Sequence, residues 1–169
     1  AMRIVVRSVR STFHAARSFA LGILALALCG CATAPPMDNA TEITFAVSSW
    51  GYTQEQWTVR ASGEATLALV PPTAQIDSPP VTSSATITPE QFERVRAAMA
   101  PLRRYVGVTL PCPNHMYDAP SIGVRWTQAN ADQAQIGYYT GCSDTPARRE
   151  AYDAIMEGNR VFHEVTGLH

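Results

Sequence analysis

The densest cluster of side chains able to do chemistry in this chain is Cys112-Pro113-Asn114-His115-Met116-Tyr117-Asp118. His115 and Asp118 would form an acid–base or orienting pair, and Ser121 or Ser143 would be the nucleophile that such a pair activates. The same residue types also fill exposed loops, because Asn and Asp bond their own backbone and Pro presets a turn. The loop reading carries more weight, since a triad is a spatial arrangement that spacing alone does not create. Cys112 and His115 also have a Cys-x-x-His spacing. Structural zinc takes four ligands, usually in two close pairs, and only Cys142 offers a third, so no metal site is expected.

Other chemistries find fewer residues. His163-Glu164 opens like a zinc-protease helix, but the second histidine would fall on Gly167. A histidine near a helix C-terminus more often serves the dipole and the last carbonyl groups. There is no Gly-x-Ser-x-Gly elbow, no glycine-rich phosphate loop and no Asp-x-Asp calcium loop. All 13 basic residues are arginines, so neither Schiff-base chemistry nor a phosphate-binding P-loop lysine is open to the chain. No cofactor is expected, and the balance leans away from an enzyme. Trp50, Gly51, Tyr52 and Trp57 make an aromatic-rich turn, whose rings serve either the core or a binding surface.

The start of the chain is organised differently. Arg3, Arg7, Arg10 and Arg17 precede an apolar run from Phe19 to Leu28, and the first acidic residue is Asp38. Ten apolar residues are about half of what a bilayer-spanning helix needs, which is about 20. The run is followed by Leu28-Cys29-Gly30-Cys31. This segment resembles a bacterial lipoprotein signal peptide with its lipobox, a likeness that covers about the first 35 residues and rests on Leu28, Gly30 and Cys31. The resemblance implies cleavage before Cys31 and attachment of diacylglyceryl and acyl (palmitate-type) chains to it. Several chains at about 0.8 kcal/mol per buried methylene would hold the protein on the membrane. Ala32 after the cysteine, rather than aspartate, implies the periplasmic face of the outer membrane. On this reading residues 1–30 are signal peptide, 31–41 are the lipidated cysteine and a flexible tether, and 42–169 are one globular domain.

Two consequences follow from that processing. Loss of the first 30 residues removes four arginines and leaves nine against 14 acidic residues. An acidic domain is poorly suited to nucleic acid, whose binding runs on neutralised phosphates. Cys29 leaves with the signal and Cys31 takes lipid, so Cys112 and Cys142 remain to pair as a disulfide in an exported compartment.

The elements that must position these residues are legible from periodicity. Ile43, Phe45 and Val47 alternate with smaller or polar residues, as do Trp57 and Val59, then Ala65, Leu67 and Leu69 across an Ala61–Glu64 turn. Prolines mark a loop over 71–80, and Val81, Ala85 and Ile87 suggest a further strand. Ile122, Val124 and Trp126, then Ile136 and Tyr138, form a hairpin about Asn130-Ala131-Asp132. Thr88-Pro89-Glu90-Gln91 is a capping box for a helix carrying Phe92, Val95 and Met99, which Pro101 should end or kink. Thr145-Pro146 opens a second helix with Ala151, Tyr152, Ile155, Phe162 and Val165 on one face and Gly167 as its stop. The expected fold is α+β, an antiparallel β-sheet with two α-helices packed on one face as a two-layer sandwich.

The expected function is that of a cell-envelope lipoprotein, a non-catalytic binding or structural module facing the periplasm. Its expected partners are the membrane, through the lipid anchor, and an envelope protein or peptidoglycan. The alternatives are a small periplasmic hydrolase using the 112–121 loop, or an inhibitor of an envelope hydrolase. Lysozyme-inhibitor lipoproteins are similar in size, signal and disulfide, but they are all-β, and the two capped helices speak against that likeness.

Overall fold

Alternation along the strands dictates one buried sheet face, and the register realises it. The computed structural model describes residues 37–71 and 78–169. The expected signal peptide over 1–30 and the expected lipidation site at Cys31 lie outside the described residues. Six strands follow the order β4-β3-β2-β1-β5-β6 in one open sheet. They are β1 (Ala40–Ser49), β2 (Tyr52–Arg60), β3 (Glu64–Leu69), β4 (Val81–Thr86), β5 (Ser121–Gln128) and β6 (Gln133–Tyr139). Every pairing is antiparallel. Leu67, Trp57, Phe45, Val124 and Ile136 form one cross-strand row, and Ala65, Val59, Ile43, Trp126 and Ala134 the next. All ten are buried. A one-residue slip of any strand would turn its apolar set to solvent, so burial enforces the register.

Two helices cover that face, as expected. Helix α1 (Pro89–Ala98) starts at a complete capping box, in which Thr88 Oγ1 accepts from Gln91 N at 3.3 Å and Gln91 Oε1 accepts from Thr88 N at 2.7 Å. Helix α2 (Pro146–Thr166) is capped by Thr145 and stopped by Gly167 at φ 68°, the left-handed conformation that glycine adopts without a Cβ penalty. Trp57 stacks between Phe45 at 5.3 Å and Phe162 of α2 at 4.4 Å, and its Nε1 donates to Asn159 Oδ1 at 2.6 Å. The helices meet at Gly158, where an added Cβ would lie 2.4 Å from Met99 Cε. Gln91 Nε2 donates to Val165 O at 2.9 Å, and Arg94 pairs with Glu164 at 2.5 Å. Arg94 and Arg160 together hold the Glu164 carboxyl below its ordinary pKa.

Four details differ from the sequence expectation. Pro101 does not merely stop α1. It falls in a 3-10 helix (Ala100–Tyr105) that buries Leu102 and Tyr105 and carries the chain back along α2. Tyr152, expected on the buried face, is 38 % exposed and borders Tyr138, because Ala151, Ala154, Ile155 and Gly158 bring α2 too close for a ring beneath it. Arg148 is buried in that turn instead, bonding Tyr139 O and lying 4.4 Å over the Tyr138 ring, whose polarisable face offsets part of the buried charge. The expected tether over 31–41 is too long. Met37 and Ala40 belong to the core, and β1 begins at Ala40 because β5 already pairs with it there.

Among the described residues, no helix covers the other sheet face. Ser84, Thr66, Thr58, Thr44, Arg125 and Gln135 cross it in one row, with the Thr44 and Thr58 hydroxyls 3.3 Å apart. Among the described residues no helix is long and apolar enough to cross a membrane.

Candidate functional site

The chemistry-bearing loop is built from the end of β6 outward. Cys112 and Cys142 are disulfide-bonded, with Cα atoms 5.1 Å apart, so Cys112 has no thiolate to offer a metal. Around that bond the 112–120 segment is braced by backbone groups. Met116 N donates to Gly141 O at 2.7 Å, Ser143 N to Asn114 O at 2.9 Å and Thr140 N to Pro120 O at 2.9 Å. The Tyr139 hydroxyl donates to Met116 O at 2.5 Å and accepts from Ala119 N at 3.2 Å. Gly141 makes this close approach possible. A Cβ there would stand 2.7 Å from Met116 O and 2.8 Å from Ala119 Cβ. The loop is therefore held to the sheet by its backbone, and its side chains are left facing outward.

The sequence candidates are placed as follows. His115 is exposed, and its ring meets Tyr117 edge-on at 4.9 Å. Among the described residues its imidazole makes no hydrogen bond to Asp118, Ser121 or Ser143, all three of which are exposed. Asp118 adopts φ 70°, a left-handed conformation that short polar residues tolerate. His163 Nδ1 bonds Leu168 O at 2.6 Å, which is the helix-end role expected of it, and its Nε2 lies 3.6 Å from Glu55 Oε1. Among the described residues no group of His, Cys, Asp and Glu has metal-holding geometry.

What the geometry adds is an aromatic tip. Ser49-Trp50-Gly51-Tyr52 closes the β1–β2 hairpin with both central residues at positive φ, 54° for Trp50 and 80° for Gly51. That is the pattern of a type I′ turn, whose first central position favours Asn, Asp or Gly. A tryptophan there pays about 1–2 kcal/mol of Cβ crowding. It is also 72 % exposed, so burial offsets only part of that cost. Ser48 pairs with Ser121, so the turn and the braced loop lie beyond the same end of neighbouring strands. Tyr52 at 46 %, Met116 at 69 % and Tyr117 at 80 % exposure complete an apolar end to the sheet. The Trp-Gly pair marked this turn in the sequence, but Met116 and Tyr117 read only as loop residues, because exposure depends on how the disulfide loop is tied down.

No protein-family model matches the chain, and no curated protein matches it at significant similarity.

Proposed function

We propose that the protein is a lipid-anchored binding module of the bacterial cell envelope, tethered through Cys31 and engaging an envelope partner with the aromatic tip. The observation that carries the reading is Trp50. It occupies a backbone conformation unfavourable to a bulky residue and leaves most of its indole in solvent, a placement with little net return to folding. Placement supports it too. Strand β1 begins at Ala40 and ends beside Trp50, and its ten residues put the tip about 30 Å from the strand's start. The disulfide suits an oxidising compartment. Envelope protein and peptidoglycan are the partner classes, and no catalytic step is assigned.

Two experiments test this. Cys31→Ser should move the protein from the membrane fraction to the soluble fraction and abolish acyl labelling, whereas an unlabelled wild-type protein would refute the anchor. A photo-crosslinking residue at position 117 should give discrete adducts in intact cells, with protein or with sacculi. Position 153 on the exposed side of α2 should give none. Equal adducts at both positions, or none at 117, would refute the tip as the binding surface.

A further inference from the structure

The braced loop carries one further group with chemistry of its own, the thioether of Met116. Peroxides convert an accessible methionine sulfur to a sulfoxide, which turns a flexible apolar side chain into a polar one. Among the described residues, Met37 and Met99 are buried in the core, Met156 is 38 % exposed and Met116 is 69 % exposed. Cys112 and Cys142 are already joined, so the described residues hold no thiol to consume an oxidant first. Met116 is therefore the sulfur that a mild oxidant meets first among them.

Its backbone is fixed on both sides. Met116 N donates to Gly141 O at 2.7 Å, Met116 O accepts from the Tyr139 hydroxyl at 2.5 Å, and His115 forms an isolated bridge with Cys142. None of these bonds uses the Met116 side chain. Oxidation at Sδ thus changes the surface of the tip and leaves the supports of the loop in place. The step is an oxygen transfer. A sulfur lone pair takes the terminal oxygen of a peroxide, the O–O bond breaks, and water or an alcohol leaves. Sulfur is oxidised by two electrons and the peroxide is reduced by two. In the reverse direction two thiols of a sulfoxide reductase become a disulfide, and the oxygen leaves as water. The sulfoxide oxygen is a strong acceptor to which an apolar contact offers no donor, so burying it against a partner is unfavourable.

We propose that Met116 is a reversible oxidation site whose sulfoxide switches off binding by the aromatic tip. The inference rests on the tip being the binding surface. The test uses purified full-length protein with a photo-crosslinking residue at position 117, treated with hydrogen peroxide and then irradiated with isolated sacculi or envelope vesicles. Peptide mapping should show Met116 oxidised about twofold or more faster than Met156, with Met37 and Met99 protected. The melting temperature should stay within about 2 °C of the untreated protein. Adducts should fall about fivefold or more once Met116 is oxidised, and return after treatment with a methionine sulfoxide reductase and its thiol donor. Met116→Leu keeps the apolar volume and should crosslink like untreated wild type, before and after peroxide. Met116→Gln, polar and of similar length, should crosslink like the oxidised protein. Adducts that persist after complete oxidation of Met116 overturn this inference alone. So does an equal loss on peroxide treatment in Met116→Leu, which would move the effect to another residue, and so does oxidation of Met156 as fast as Met116. Untreated protein that gives no adducts overturns the tip reading itself, and this inference with it.

Discussion

Trp50→Asn separates the binding reading from a folding role. At φ 54° the left-handed backbone disfavours tryptophan by about 1–2 kcal/mol, and asparagine recovers about 1 kcal/mol of that. The loss on the other side is the quarter of the indole surface that is covered. At about 25 cal/mol per Å² this is worth at most about 1.5 kcal/mol, and less against a realistic unfolded chain. The two effects nearly cancel, so the variant should unfold within about 1 kcal/mol of wild type. That is a melting shift of no more than about 4 °C for a domain of this size. Trp50→Ala loses the same contacts without the relief and should be about 1 kcal/mol less stable than the Asn variant. The matched change at a buried ring, Trp57→Asn, should cost about 4 kcal/mol or more. Denaturant titration gives the stabilities, and the position-117 crosslink in the Trp50→Asn background gives binding, which should fall at least tenfold. A loss of more than about 2 kcal/mol in Trp50→Asn would mean that the indole is a structural element and that its exposure says nothing about a partner. Unchanged crosslinking would have the same consequence for the functional reading.

The remaining predictions concern the supports of the tip and the helix pair. Reducing the Cys112–Cys142 bond, or replacing both cysteines with serine, should lower stability by about 3–4 kcal/mol in the chain-entropy model for its 30-residue separation, read from denaturation midpoints with and without reductant. Gly141→Ala should cost about 1–3 kcal/mol and raise amide exchange at Met116, because its Cβ would displace backbone that the disulfide holds in place. The Glu164 carboxyl is held below its ordinary value by Arg94 and Arg160. Its contribution is thus complete above the unfolded carboxylate pKa of about 4.3 and lost as pH falls through the lower folded value. Acid unfolding of Arg94→Ala should therefore begin at higher pH than in wild type, and coincident acid transitions would show the pair contributes nothing.

How much was legible in the sequence varied with the kind of information each residue carries. The strand set, the capping box at Thr88–Gln91, the stop at Gly167 and the α+β class are local patterns, in which one face of a strand or helix must be apolar and its end groups satisfied. The Cys112–Cys142 pairing followed from the expected export and the cysteine count, and the structure contains the bond. Residues 112–121 were legible as a loop, but not its shape, because Gly141, Tyr139 and Thr140 brace it from 20 or more positions away. Spacing alone leaves His115 and Asp118 looking like a pair, while the fold turns His115 toward Tyr117 and solvent. Nor does any local pattern distinguish Trp57, stacked in the core and bonded to Asn159, from Trp50, strained in solvent, or Trp126, buried with its donor unpaired among the described residues. All three are one residue type with one set of propensities. Which of them packs in the core and which is left in solvent depends on long-range register and on the helices laid across the sheet, and so was decided by the tertiary structure alone.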